Sequence, residues 1–480
     1  MDKKQALAAI DEKSKLIIEV NDTIWANPET AFREFVAMQT LCAALESEGF
    51  KVEKGVGDVP TAFTGSFGSG KPVIGFLGEY DALSGLSQEG GSVTKKPIVQ
   101  GGAGHGCGHN ELGAASLAAA IAVKEYLKNN PDKSGTVIFF GTPGEEGGSG
   151  KAFMAREGVF DACDACITWH PSTVFAVRSG SNLANCQIEY HFAGVSAHAA
   201  GDPHLGRSAL DAVELMNLGV QFLREHMIDK ARIHYAITNA GGYSPNVVQP
   251  TADVLYLIRS PKTPEVLELA KRVEKIAKGA AMMTETDLTI NFIKACSNIV
   301  PNNVIEKVLY KNFEEVGLPT YTEEERQLCR DIVASYESAG SADSAAGQVV
   351  EWGELIAEKQ KDDVSINDFL LPYHSYEDVA AGSSDVGDVS WVCPTAQIWA
   401  VTWAARSPGH SWQNTAMGNT SVAHKGVISA GKVMGGAGID LLSQPETLKA
   451  AKEELNKRLG GGKYVCPIPK GVKPQAIGAK

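Results

Sequence analysis

The run Pro72-Val73-Ile74-Gly75-Phe76-Leu77-Gly78-Glu79-Tyr80-Asp81 decides the fold class. It is apolar without interruption until it ends on carboxylates, as strands buried on both faces are in parallel sheets packed between helices. A glycine-rich loop over 85–108 follows, then a helix over 111–127, where Ala120, Val123 and Leu127 keep helical spacing. The pattern recurs downstream. An apolar run over 136–140 ends in Gly141-Thr142-Pro143-Gly144-Glu145-Glu146, and another over 165–168 ends in Trp169-His170. Helices alternating with such runs predict an α/β fold with a mainly parallel sheet. Each run delivers polar residues to its carboxyl end, where open α/β sheets bind ligands. Upstream, 4–24 and 31–48 read as helices broken at Asn27-Pro28.

From Cys186 the texture changes. Cys186, Ile188, Tyr190 and Phe192 alternate with Gln187, Glu189 and His191, which is a strand with one buried face. A helix over 207–226, strands over 232–239 and 251–259, a helix over 264–280 and a strand carrying Leu288, Ile290 and Phe292 complete a β-α-β-β-α-β order, the ferredoxin-like unit. Apolar α/β material resumes after about residue 300 and includes a run over 398–403. The expected organisation is therefore a catalytic domain in two parts, 1–185 and 300–480, with a lid or dimerisation domain inserted over 186–299.

The 480 residues suffice for two or three domains and a large core. With 44 Lys and Arg against 57 Asp and Glu, the net charge is −13, which argues against nucleic acid or an anionic membrane as partner. No stretch reaches the ~18 apolar residues of a membrane span. The charged N-terminal segment lacks a signal core, and nine scattered cysteines suit reduced thiols, so a cytoplasmic location is expected. Cys163 and Cys166 read as small apolar residues around a buried strand. Gly is over-represented at 50 residues, clustered beside His, Cys and Glu. No G-x-G-x-x-G opens a helix after the first strand, which removes a dinucleotide-dependent oxidoreductase.

The segment Gly104-His105-Gly106-Cys107-Gly108-His109-Asn110 offers a thiolate and an imidazole two residues apart, across a glycine that permits a tight turn. Taken alone, the pair fits either a metal ligand set or a structural turn. Glu145 and Glu146 repel each other unless a cation lies between them or water solvates them. His170 is either a ligand or a core histidine. Convergence of all three at one sheet edge favours a metal site.

With these residues in place, the chain resembles the two-metal aminoacylase/carboxypeptidase family, in the branch containing hippurate hydrolase and indole-acetyl-amino acid hydrolase. Asn27-Pro28-Glu29 with Glu34, Tyr80-Asp81-Ala82-Leu83, His105-Gly106-Cys107-Gly108-His109, Glu145-Glu146-Gly147-Gly148, Trp169-His170, Ser196-Ala197-His198-Ala199, Asn246-Val247-Val248 with Arg259, and His410-Ser411 carry the resemblance. Within the family, Ser384-Asp385-Val386-Gly387-Asp388-Val389-Ser390 and His410-Ser411-Trp412-Gln413 look most like members acting on p-aminobenzoyl-glutamate. The resemblance implies metal ligands at Cys107, His109, Glu146, His170 and His410, a general base at Glu145 and a lid histidine, His198, that reaches the developing oxyanion. It further implies that Asp81 orients the cluster, and that Asn246 and Arg259 hold the substrate's carboxylate, within or across a dimer interface. Asn110, Leu112, Gln249 and Ser384-Asp385-Val386 stand where the branch more often has Asp, His, Pro and Glu-Asp-Phe, differences that bear on substrate choice and the surroundings of the ligands.

The function so implied is a metal-dependent amidohydrolase acting on an N-acyl or N-aroyl amino acid. p-Aminobenzoyl-glutamate ranks first, ahead of hippurate- or indole-acetyl-type substrates and dipeptides, and a non-catalytic metal-holding subunit is the rival from another class. Two divalent ions per chain are expected as cofactors. A thiolate favours zinc and an oxygen-rich set favours manganese; the resemblance places manganese ahead. The expected partners are the small-molecule substrate and either a second copy through the lid or a related subunit. Trp391, Trp399, Trp403 and Trp412 either line the acyl pocket or belong to the core, with core favoured for at least half.

Overall fold

The four unbroken apolar runs lie side by side and point the same way. In the computed structural model, which describes residues 1–336 and 349–476, the strands Gly135–Gly141, Val73–Gly78, Ala165–Ser172 and Thr395–Val401 are parallel neighbours in that order. Their side chains are almost wholly buried, as strands covered on both faces require. Antiparallel strands finish the sheet at its edges: Phe63–Ser69 and Lys51–Lys54 on one side, Ala176–Arg178 on the other. The result is a seven-stranded α/β sheet, parallel at the centre.

The helix His109–Lys128 packs on this sheet and against the helix Ser421–Ser443. Their approach is close because glycines face alanines. A Cβ on Gly431 would come within 2.6 Å of Ala118 Cβ and 3.2 Å of the Ala115 carbonyl oxygen. Part of the glycine excess therefore serves this helix pair as well as the loops at strand ends. The single helix expected over 4–24 is two helices, Lys3–Glu12 and Ser14–Ala26. The chain turns at Lys13 (φ −98°, ψ 8°), so both pieces lie along the helix His109–Lys128.

The second sheet contains Asp287–Cys296, Ala184–Ala193, Thr251–Ser260 and Arg232–Asn239 in that order, all antiparallel. Two helices, Ala209–Leu223 and Thr263–Thr284, cover one face, completing the expected β-α-β-β-α-β unit. Alternate residues of Ala184–Ala193 and Thr251–Ser260 are buried against them. The sheet has two distinct ends. Asn185, Arg259 and Cys296 lie level with one another at one end, while Ala193, Thr251 and Asp287 mark the other. Among the described residues, no helix is long and apolar enough to cross a membrane.

Candidate metal centre

Three consecutive parallel strands deliver their carboxyl ends to one place. Val73–Gly78 leads into Glu79 and Asp81, Gly135–Gly141 into Glu145 and Glu146, and Ala165–Ser172 carries His170. The helix His109–Lys128 begins there. Gly108, in the left-handed region at φ +75°, turns the chain so that Cys107 and His109 converge, and a Cβ on it would strike the Pro171 ring at 2.8 Å. His410, at φ +53° and half-exposed, arrives from the loop after Thr395–Val401.

The ligand atoms form three overlapping groups, each within 4.8 Å: Cys107 with His109 and His170; Cys107 with Glu146 and His410; and His109 with Glu145 and Glu146. Cys107 Sγ is 3.4 Å from His170 Nε2, and Glu146 Oε1 is 3.4 Å from His410 Nε2. Asp81 bridges the construction, with Oδ1 2.9 Å from His109 Nδ1 and Oδ2 accepting the Glu146 backbone N–H at 3.0 Å. That contact leaves His109 Nε2, buried and without a hydrogen-bond partner, directed into the cluster, as is Glu146 Oε1.

The acids of the cluster resist ionising next to one another, whereas for His109 burial opposes the charge but Cys107 and Asp81 outweigh it and push the imidazole well up. Burial and the neighbouring Glu145 push the Glu146 carboxyl up to about 7, and burial with Glu79 raises Glu145. Burial also pushes the Cys107 thiol up and the His170 imidazole down to about 3. A divalent cation reverses that balance by displacing the protons, which is the ordinary linkage of metal binding to ligand pKa. Sulfur, the buried imidazole of His109, the partly buried imidazole of His170 and carboxylates form a donor set that fits divalent ions.

The other expected residues separate into two places. Arg259 donates from Nη1 to Ser383 Oγ at 3.2 Å, and its buried Nε has no partner. His198 and Asn246 sit together at the far end of the second, antiparallel sheet. Val247 pairs with His198, the Ala199 N–H donates to the Asn246 carbonyl, and His198 Nδ1 accepts the backbone N–H groups of Ala200 and Gly201. Thr251, where the strand leaves the loop that carries Asn246, and Arg259 are eight residues apart on that strand, a span of about 27 Å. Of the four tryptophans, Trp403 is buried edge-on to His170 with ring centres 6.2 Å apart, and Trp412 packs against the main core. Trp399 meets Trp352 edge-on, with ring centres 6.5 Å apart, while the half-buried Trp391 donates to the Asn298 carbonyl. All nine cysteines are free.

Four residues near the centre were not given roles from the sequence: Glu79, Lys151, Lys294 and Asp385. Lys294, on the strand Asp287–Cys296, donates from Nζ to the Glu146 carbonyl oxygen at 2.9 Å. Lys151 lies between Glu79 and Asp385. A signal was present for Glu79, which ends the same apolar run as Asp81; a single lysine in a sequence reads as solvated.

Comparison with known proteins gives the chain's family and fold. Residues 75–327 match the model of peptidase family M20/M25/M40. A p-aminobenzoyl-glutamate hydrolase subunit of Escherichia coli K12 is 47% identical over 472 residues, 98% of each chain. The human Xaa-Arg dipeptidase is 25% identical over 482 residues, covering 97% of this chain and 94% of that one. A Bacillus subtilis structure described as a dinuclear metal binding peptidase from the M20 family shares the fold, with a TM-score of 0.55 at 15% identity over 90% of this chain and 99% of that one.

Proposed function

The chain belongs to peptidase family M20/M25/M40 and is a metal-dependent amidohydrolase; on that footing we propose that it hydrolyses p-aminobenzoyl-glutamate to p-aminobenzoate and glutamate. The observation that carries this reading is the overlap of two ligand groups on Cys107, with a further carboxylate, Glu145, beside them. A structural metal site needs no spare carboxylate. In this reading Cys107, His109, Glu146, His170 and His410 hold two divalent ions, with manganese ahead of zinc. Such ions lower the pKa of water and polarise the scissile carbonyl.

The remaining work falls to the chain's own side chains. Glu145, its pKa raised by burial and Glu79, takes the proton of the attacking water and returns it to the departing nitrogen. Asp81 fixes the ring of His109 and the backbone of Glu146. Arg259, with Nε open, pairs with a carboxylate of the glutamate product half. His198 donates to the oxygen on which charge develops.

The choice of substrate rests on two supports. The 47% identical relative carries that activity in its name across the full length. One end of the second sheet also carries two cations, Lys294 at the Glu146 carbonyl and Arg259 at Ser383. They favour glutamate, with its second carboxylate, over the cationic arginine of an Xaa-Arg dipeptide. Comparing kcat/KM on p-aminobenzoyl-glutamate, hippurate, an indole-acetyl conjugate and an Xaa-Arg dipeptide tests this. The first should lead by at least about tenfold; preference for the dipeptide would overturn the assignment.

The active form includes a second lid, from another copy of this chain or a related subunit. Support comes from the edge strand Arg232–Asn239, whose Tyr235 and Ile237 are exposed, and from Leu218 and Phe222 exposed on the neighbouring helix. An uncovered edge strand with an apolar flank is a template for pairing. Nine free cysteines fit the cytoplasm.

A further inference from the structure

Lys151 opens the short helix Gly150–Arg156, just after the Glu145-Glu146 loop, and its side chain is wholly enclosed. Nζ lies 2.5 Å from Glu79 Oε1 and 2.6 Å from Asp385 Oδ1, and its backbone N–H donates to Asp385 Oδ2 at 2.9 Å. Burial opposes its charge, but Asp385, Glu79 and Glu145 outweigh that penalty and keep the ammonium protonated. The two carboxylates lead in different directions. Glu79 Oε2 is 3.3 Å from His109 Nε2, the nitrogen that Asp81 leaves free. Asp385 stands two residues after Ser383, the hydroxyl that accepts from Arg259 Nη1. One ammonium thus joins the metal cluster to the loop on which the lid's arginine is anchored. Enclosed ion groups of this kind are weak evidence for a stabilising role, since apolar replacements of similar volume are often neutral or better. Geometry is the more economical explanation.

We propose that Lys151 is a positioning residue for the amide hydrolysis, fixing the metal cluster and the Arg259 anchor relative to one another through Glu79 and Asp385. The inference rests on the roles proposed above for His109 and Arg259. It predicts that the two arms fail differently, which a merely structural lysine would not produce.

The test compares Glu79→Gln, Asp385→Asn and Lys151→Met in steady-state kinetics on p-aminobenzoyl-glutamate, with Mn2+ binding to the metal-stripped proteins followed by calorimetry. Glu79→Gln should lower kcat and Mn2+ affinity about 10- to 100-fold with KM little changed. Asp385→Asn should raise KM about tenfold and leave Mn2+ affinity within about twofold. Lys151→Met should move both kinetic constants. Wild-type kinetics in folded Lys151→Met, or both arm variants moving the same constant, would overturn the proposal. If Lys151→Met does not fold, the split between the other two decides. If the wild type cleaves a different acyl-amino acid, the substrate assignment fails and the split is read on that compound. If it cleaves none, equal Mn2+ affinities of Glu79→Gln and Asp385→Asn would still overturn the inference.

Discussion

The two ends of the lid sheet are built for different company. At the near end, Arg259 reaches Ser383 and Lys294 reaches the carbonyl of Glu146, so the lid is tied to the loop that carries the acidic pair. At the far end, the contacts that hold His198 and Asn246 are with backbone of their own loops, beyond Thr251, which stands about 27 Å along the strand from Arg259. A single carboxyl-bearing substrate cannot touch both ends of one sheet. On the roles proposed above, one chain supplies the metal centre and the Arg259 anchor, and the His198 that serves this site is assigned to a second copy or a related subunit.

The largest effect is expected at the cluster itself. Glu145→Gln should reduce turnover on the order of a thousandfold while metal content, read by elemental analysis, stays at the wild-type value. Loss of metal along with turnover would make Glu145 a ligand instead of a base. His198→Ala comes next, with kcat down about 10²- to 10³-fold. Mixing it with Glu145→Gln sharpens the comparison further. If His198 serves the partner's site in a homodimer, random exchange restores about a quarter of wild-type activity, because half the dimers contain one intact site. No restoration would place His198 in its own chain's site or with a different subunit. Arg259→Met should raise KM about 10- to 100-fold, the loss of one charge-assisted carboxylate contact. An unchanged KM would remove the near-end anchor from substrate binding. The smallest effect belongs to the scaffold. Gly431→Ala forces a contact with Ala118 and should cost about 1–3 kcal/mol in thermal unfolding while leaving kcat of the folded protein as it was.

How much of this the sequence disclosed follows from what a short window can encode. The parallel strands were legible because burial on both faces writes itself as an uninterrupted apolar run, as in Val73–Gly78. The edge strand Phe63–Ser69 was not, since glycines and serines alternate there and one half is exposed. Cys107, His109, Glu145 and His170 stood out as ligand-type residues placed at strand ends. Lys151 did not, because its meaning lies in Glu79 and Asp385, both distant along the chain. The break at Lys13 likewise reflects tertiary packing, which no local helix signal records. His198 was legible as a motif, yet only the strand register shows how far it stands from the cluster.

The proposed function stands or falls on two ions held by the cluster around Cys107. Its most direct test is to strip the protein of metal and return Mn2+ stepwise while following release of p-aminobenzoate. No turnover is expected without metal, followed by a rise to a plateau at two ions per chain. Full turnover in the stripped protein, or one chelator-resistant ion per chain with no turnover, would contradict it.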